Sequence, residues 1–439
     1  MTGGPAPGGP AAGGQAAGGP AAGGGPAAGG QAAGGPAAGG PAAGGGPAAA
    51  LRVAYVLGTA SGGTARHAGL LAEGCRRAGL TVLAAGPAGS RAAFTAGIAS
   101  LPGATGAEAG RIAFHRAEIG ARPRPVRDVA ALAALRALLR RADPDIVHAH
   151  GLRAGAFAAL ALLSSHPSRP SHPSHASRGP ALVVTVHNAP PAGRAAAAVY
   201  AALELICARR ADLLLCASGD LAARLRHRGA TRVAEFDVPA PPAPPPSAAA
   251  VASARTALGP PGRPVVLAVG RLAEQKGLDT LLAAARRWQD RVPVPVLAIA
   301  GEGPLAAQLA AVASRTGVDL TLLGHRDDVP ALLAAADVIA VPSRWEARAL
   351  VVQEAMRAGR PIVASTVGGI PPLTGEDAAI LVPPEDAGQL AAAILAVLDD
   401  PGRAARLSAA ARNRAAALPG PDDAVAAVLA AYRACRPGG

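Results

Sequence analysis

Short apolar segments alternating with helical patterns, twice over, predict an α/β chain built from two doubly wound parallel sheets. Three observations carry this. From residue 51 onward the apolar runs have strand length and are nearly continuous, as strands covered on both faces are. Helical patterns lie between them. The alternation then stops at "VPAPPAPPPSAAA" (238–250), which breaks both periodicities and reads as a linker, and restarts beyond it.

The elements follow in order. Residues 1–50 repeat "GGPAAGG" and "GGQAAGG" with no aromatic, branched aliphatic or charged residue. Such a segment buries too little apolar surface to offset chain entropy, so a disordered tail is expected. It has neither the basic start nor the apolar run of a signal peptide. Deleting it is expected to leave activity and stability unchanged; a chain starting near Ala50 that fails to fold contradicts this. "LRVAYVL" (51–57) is the first predicted strand, followed by Gly62, Gly63 and a helix over about 64–78. Further strands are "DIVHAH" (145–150), "ALVVTVH" (181–187), "ADLLLCA" (211–217) and "RVAEF" (232–236). A histidine- and proline-rich insertion, 164–180, reads as a loop because its prolines prevent a regular face. After the linker, strands are predicted at 263–270, 294–300, 318–324, 337–343 and 360–367, with helices at 277–288 and 304–316. The stretch 386–435 is mostly helical in pattern. The chain thus divides into a tail (1–50), a first domain (51–238), a linker (239–262), a second domain (263–415) and a closing helix with its tail (416–439).

Composition narrows the function classes. The 439 residues suffice for two domains and a large core. The net charge of +13 reads either as arginine solvating the surface or as attraction to acidic substrates or an anionic membrane face. Basic residues dominate between Arg111 and Arg141, where the leucines of 128–141 are expected to face a core rather than lipid. Aromatic residues make up only 2% and no zinc-finger spacing is present, which argues against nucleic acid. Cys75, Cys207, Cys216 and Cys435 form no CxxC pair, as suits a reducing cytoplasm. No apolar run is long and uncharged enough to span a membrane.

In two domains of this class, ligands bind in the cleft beyond the carboxyl ends of the strands. The conspicuous residues sit there. Lys276 is the only lysine in a chain otherwise rich in arginine. With Arg271 it falls in the loop between the strand at 263–270 and the following helix. Two cations at a helix amino terminus suit an anion, and a diphosphate is the natural fit. A compact ammonium and a planar guanidinium are not interchangeable there, so a tight phosphate contact explains why lysine persists. The plainer reading is a solvated loop residue. Glu346 and Glu354 follow the strand at 337–343, the first ahead of a helix and the second inside it. Carboxylates accept hydrogen bonds from sugar hydroxyls, and backbone N–H groups near Ala349 and Leu350 open toward a phosphate.

At this point a family resemblance is visible. Its carriers are "GGTARHAGLLAEGCRRAGLTV" (62–82), "PDIVHAHG" (144–151), "VVTVHN" (183–188), "GRLAEQKGLDTLL" (270–282), "GEGPL" (301–305), "LLGHRDDVPALLAAADVIAVPSRWE" (322–346), "EAMRAGRPIVAS" (354–365) and "GGIP" (368–371). In this order the chain resembles the retaining glycosyltransferases of family 4 from 51 to about 435. The resemblance implies a GT-B type fold: two doubly wound Rossmann-like domains facing a central cleft, the first binding the acceptor and the second a nucleotide-sugar donor. It implies that Arg271 and Lys276 bind the diphosphate, Glu354 the ribose and Glu346 the donor sugar. Gly324, His325 and Arg326 would face the base, and Gly62 and Gly63 would approach the phosphates closely. His187 matches the histidine beside the transferred sugar, and His150 a position near the acceptor. The acceptor would be a sugar, a lipid-linked molecule or another small molecule. No cofactor or metal is expected, since cations and helix ends handle the leaving charge. The enzyme would be cytoplasmic, with peripheral contact at the inner membrane face left open.

The sequence departs from the family pattern at two places in the motifs, and the proline-rich linker and histidine-rich insertion, away from the site, are a third departure. Ala347, Arg348 and Ala349 stand where glycine and an aromatic are common, and Pro372 stands where glutamate often follows "GGIP". At the first, Arg348 would either clash with a donor sugar or add a contact to it. Two other readings remain: a nucleotide-sugar epimerase on the same fold, and a non-catalytic sugar-nucleotide-binding protein. Arg271, Lys276, Glu354 and His187 together argue against the second. A Rossmann dehydrogenase is weaker, because no GxGxxG follows either opening strand.

Overall fold

The computed structural model describes residues 50–59, 62–101, 103, 111–163, 179–188 and 193–436. The expected tail, apart from Ala50, and nearly all of the histidine-rich insertion lie outside them.

The first sheet contains β1 (Arg52–Leu57), β2 (Thr81–Gly86), β3 (Ala113–Arg116), β4 (Ile146–His150), β5 (Ala181–Val186), β6 (Leu213–Cys216) and β7 (Val233–Glu235). Its order is β3-β2-β1-β4-β5-β6-β7, and every pairing is parallel. The second sheet contains β8 (Val265–Val269), β9 (Val296–Ala300), β10 (Leu320–Leu322), β11 (Val338–Val341), β12 (Ile362–Ser365) and β13 (Ile380–Val382). Its order is β10-β9-β8-β11-β12-β13, again all parallel. Strand order therefore reverses between β1 and β4 and between β8 and β11. At such switch points the adjoining loops part, and ligands bind beyond the carboxyl ends.

Helices cover both faces. On the first sheet, α1 (Gly63–Arg77) and α2 (Arg91–Ala99) lie on one face. The helices α3 (Pro125–Ala142), α4 (Leu152–Leu162), α5 (Arg194–Arg210) and α6 (Gly219–His227) lie on the other. Ala131, Leu135, Leu138 and Leu139 of α3 are buried in the core, as expected for this helix, while Val126 and Val129 are exposed. On the second sheet one face carries α7 (Ala248–Leu258), α10 (Val329–Ala335), α11 (Leu350–Arg357), α12 (Ile370–Thr374) and α14 (Pro401–Ala416). The other carries α8 (Leu278–Ala285), α9 (Ala306–Thr316) and α13 (Ala387–Asp399). The last helix, α15 (Pro421–Cys435), returns to the first sheet. Its Ala424, Val428 and Tyr432 are buried beside Tyr55, Leu71 and Cys75.

Several elements differ from the sequence reading. The strands β2, β3 and β13 are additional. The segment expected as linker holds α7 in its second half, capped by the Ser247 side chain accepting from the Ala250 backbone N–H. Its Ala254 and Leu258 are buried in the second domain's core. The helix expected over 277–288 ends at Ala285, and Arg286–Trp288 tighten into a 3-10 turn. Among the described residues no helix is long and apolar enough to cross a membrane.

Candidate active site

The site begins at the end of β8. The run Val265–Val269 is almost wholly buried, and the chain leaves it through Gly270 into the loop that ends in the 3-10 turn Glu274–Lys276. Gly277 then adopts φ +59°, and a Cβ there would stand 2.0 Å from the Pro342 carbonyl oxygen. Only glycine fits, and this contact presses the β8 loop against the end of β11. The two loops are laced together. The Arg344 backbone N–H donates to the Gln275 carbonyl at 2.8 Å, and Gln275 Nε2 donates to the Trp345 carbonyl at 2.8 Å.

This lacing brings Lys276 to Glu346. Lys276 Nζ donates to Glu346 Oε1 at 2.6 Å, and Ser343 Oγ donates to the same oxygen at 2.7 Å. The Glu346 side chain is 7% exposed. Among the described residues its Oε2 takes no hydrogen bond. Ser343 escaped the sequence reading, although its position three residues before Glu346 in "SRWE" was the available signal. Arg271 is exposed, and among the described residues its guanidinium has no ion-pair or hydrogen-bond partner.

Glu346 leads into α11, whose first residue is Leu350 and whose N-cap Ala349 offers no side-chain cap. A Cβ at Gly63 would lie 2.9 Å from Leu350 Cδ1, so the start of α1 and the start of α11 face each other across the two domains. Glu354, one turn further along α11, has its carboxyl pushed up by burial, against the opposing pull of Arg357 and Arg66. Trp345 Nε1 donates to Asp220 Oδ2 of the first domain at 2.6 Å. Ala347 is buried in the first domain's core.

The carboxyl ends of β4 and β5, in the first domain, hold a cluster of imidazoles. In the parallel register His148 of β4 lies opposite Val183 and His150 opposite Thr185, which carries His150 to the level of His187 beyond β5. His150 Nδ1 and His187 Nε2 share a hydrogen bond of 3.2 Å, and the rings stack at 5.5 Å. The His187 hydrogen bond occupies Nε2, leaving Nδ1 as its other polar atom. His67, from α1, sets its ring edge-on to both, 5.7 Å from His187 and 6.0 Å from His150. His148 bonds Tyr432 Oη and Thr185 Oγ1, each at 2.7 Å, and Tyr432 Oη donates to Tyr55 Oη at 2.9 Å. Burial holds all four imidazoles in their neutral form. The His187 ring is lowered to about 4 and His148 to about 3, while His67 and His150 lie well below their ordinary range. His150 is only 2% exposed, so it meets His187 rather than open solvent. His67 went unrecognised in the sequence, since only the packing of α1 brings it here.

Gly324, His325 and Arg326 lie apart from this centre, at the end of β10. Gly324 takes φ +66° and its carbonyl accepts from the Gly301 backbone N–H at 2.7 Å. His325 Nε2 is 3.3 Å from Asp327 Oδ1, and Arg326 forks onto Asp328 at 2.6 and 2.7 Å. The open side of Gly324 leaves backbone accessible, with no atom within 4 Å of a Cβ position. A larger cavity of about 450 Å³ lies at the amino ends of β8, β11 and β12, lined by Arg255, Asp337 and Arg360, on the far side from these residues. Among the described residues no three His, Cys, Asp or Glu side chains gather closely enough to hold a metal ion.

Known proteins are similar to this chain in sequence and fold. A family model described as "Glycosyltransferase Family 4" matches residues 61–236, and one described as "Glycosyl transferases group 1" matches 263–400. The chain is 38% identical over 192 residues to a D-inositol 3-phosphate glycosyltransferase of Xylanimonas cellulosilytica, covering 41% of this chain and 46% of that protein. It is 38% identical over 154 residues to a glycogen synthase of Mycobacterium tuberculosis, covering 34% and 37%. The matches thus span less than half the length of these relatives. Among solved structures, Anabaena HepE in complex with UDP and glucose superposes with a TM-score of 0.70 at 19% identity, over 88% of this chain and all of that one. Sucrose-phosphate synthase from Thermosynechococcus elongatus gives 0.67 at 22% identity, over 88% and 98%. The two sheets are those of the GT-B fold, and with one family model on each domain the chain belongs to the family 4, group 1 glycosyltransferases.

Proposed function

We propose that this chain moves a hexosyl group from a nucleotide-diphosphate sugar to an acceptor hydroxyl, with retention of anomeric configuration and without a metal ion. The observation that carries this is the Lys276–Glu346 pair at the facing ends of β8 and β11, with a neutral His187 at the carboxyl end of β5 in the other domain. Negative charge develops on the leaving diphosphate as the glycosidic bond breaks. Lys276, the uncommitted Arg271 and the uncapped start of α11 supply preorganised positive potential for it. Glu346, anchored by Lys276 and Ser343, keeps one oxygen to accept from a sugar hydroxyl. Glu354 takes the ribose hydroxyls, and the open backbone at Gly324 meets the base. The anomeric carbon becomes electron-poor in the same step. A neutral imidazole at His187 does not repel that charge, whereas an imidazolium would. The relatives' names and the UDP and glucose bound to HepE support a nucleotide-sugar donor here, and the acceptor is a sugar, lipid-linked or other small molecule carrying a free hydroxyl.

The test is a thermal-shift panel of UDP, GDP and ADP and their sugars, since a ligand that binds the folded form raises its melting temperature. One nucleotide family is expected to stabilise the chain, and its sugar to be transferred in excess EDTA with the anomeric configuration kept. His187→Ala is expected to abolish nearly all transfer in a protein that still folds, its melting temperature lowered only by the lost contact with His150. A stable His187→Ala protein of near-normal rate, or a wild type silenced by EDTA and rescued by magnesium, contradicts this mechanism.

A further inference from the structure

Beside the Lys276–Glu346 centre, a separate polar cavity of about 120 Å³ lies where the two domains meet. Ser218, Glu235 and Asp237 line it from the first domain, and Arg348, Gly369 and Pro372 from the second. Arg348, one of the three residues of the 347–349 departure from the family pattern, and Pro372, the departure after "GGIP", both line this one space.

Two polar groups in its wall are unusual. Ser218 is the N-cap of α6, a position where a serine hydroxyl ordinarily accepts from a backbone N–H two or three residues on. Here it makes no such cap, and its Oγ, in a residue 5% exposed, has no hydrogen-bond partner. Arg348 spans the domains to pair with Asp237, yet its buried Nε is also without a partner. Burying a polar atom unsatisfied is costly, so two such atoms in residues that line one cavity call for a ligand that satisfies them.

The lining defines that ligand's chemistry. Glu235 and Asp237 accept, the Arg348 guanidinium donates, and the Ser218 hydroxyl does either. Two carboxylates disfavour an anion, and the guanidinium disfavours a cation. Adjacent hydroxyls on a neutral ring both donate and accept, which matches this wall. The volume excludes a nucleotide. Most of the lining comes from the ends of β6 and β7, on the first domain, with the second domain adding the cover.

We propose that this cavity is a subsite for a neutral, hydroxyl-rich group of the acceptor, distinct from the nucleotide site. This rests on the transferase reading, and it makes Ser218 and Arg348 specificity determinants. The same hydroxyl chemistry on the donor sugar is the competing source, and the test separates the two.

Glucose, mannose and myo-inositol are titrated into the full chain, with and without the nucleotide that stabilises it, and into Ser218→Ala and Arg348→Gln. At least one of these probes is expected to bind the wild type whether or not nucleotide is present. Each substitution is expected to weaken that probe about tenfold, the loss of one hydrogen bond to a buried group. Nucleotide affinity is expected to stay within about twofold by the same arithmetic. Absence of binding by every probe, wild-type probe affinity in Ser218→Ala, or a parallel fall in nucleotide-sugar affinity that places the group on the donor each overturns the proposal. Ser218→Ala decides alone if Arg348→Gln does not fold. Should no nucleotide bind while a probe still responds to Ser218→Ala, the transferase reading and the acceptor assignment fall together, and only a hydroxyl-binding cavity stands.

Discussion

Lys276→Ala is expected to lower transfer by roughly a hundredfold or more, about 3 kcal/mol of transition-state stabilisation, in a protein that remains folded. The loss has two parts. The ammonium no longer meets the developing diphosphate charge. Its partner Glu346, 7% exposed, keeps only the Ser343 hydroxyl, so an unneutralised carboxylate now faces the leaving group. Lys276→Arg is the sharper comparison. A Cβ on Gly270 would come within 3.4 Å of Lys276 Cε, so the side chain runs through a narrow space that a planar fork does not share. It is expected to recover less than a tenth of the wild-type rate, by this geometric mismatch. The measurement is kcat/KM together with melting temperature on each variant. Wild-type turnover in folded Lys276→Ala removes the diphosphate role from this loop.

The second large effect is on stability in mild acid. In the folded chain His67, His148, His150 and His187 are held neutral by burial, with His187 lowered to about 4 and His148 to about 3. In the unfolded chain each takes a proton near pH 6.5. Below that value the unfolded state binds more protons, so stability falls as pH falls. The loss runs from about pH 6.5 down to about pH 4 for His187 and lower for His148. Each neutral imidazole contributes about 1.4 kcal/mol per pH unit, so four give roughly 5 kcal/mol per unit, comparable to the whole stability of many domains. Glu354, raised by burial, acts in the opposite sense near its own titration and offsets a fraction. Urea unfolding at pH 7.0 and 5.5 measures the slope. His67→Leu is the control, because both ring nitrogens of His67 lack partners and nothing is orphaned by removing them. It is expected to flatten the slope by about one proton and to raise stability at pH 5.5. A wild-type slope near zero means that the cluster is hydrated and charged in solution.

The second domain was more legible in the sequence than the first. β8, β9 and β11 are buried apolar runs bounded by glycine or proline, a pattern visible in the sequence itself. By contrast β2 spells "TVLAAG", with an exposed first residue and small residues behind it, and β3 is an edge strand with two exposed ends. β3 shows no apolar run, and that of β2 is only "VLAA". The helix α7 was hidden because its alanines follow directly on the prolines, and only Ser247 marks its start. Within the site, Lys276, Glu346 and His187 stood at strand ends and could be singled out. The imidazole cluster could not. His67, His148, His150 and His187 are spread over 120 residues, and only sheet register and the docking of α1 bring them together. The contact of Arg348 with Asp237 was equally invisible, since it depends on how one domain meets the other.

The return of α15 to the first sheet has a consequence for how the protein is made. Tyr432 closes the core around Tyr55 and His148, residues synthesised some 280 to 380 positions earlier. As the chain leaves the ribosome, the first domain emerges with that face of its core uncovered, and it stays so until the second domain has been completed and the last helix has followed. Domains that emerge first generally fold first, and incompletely covered apolar surface is where nascent chains aggregate. Here the leading domain waits for the trailing end. A nonsense mutation between Leu418 and Pro421 would therefore leave the second domain's strands and helices intact and damage the half of the molecule furthest from it in the gene.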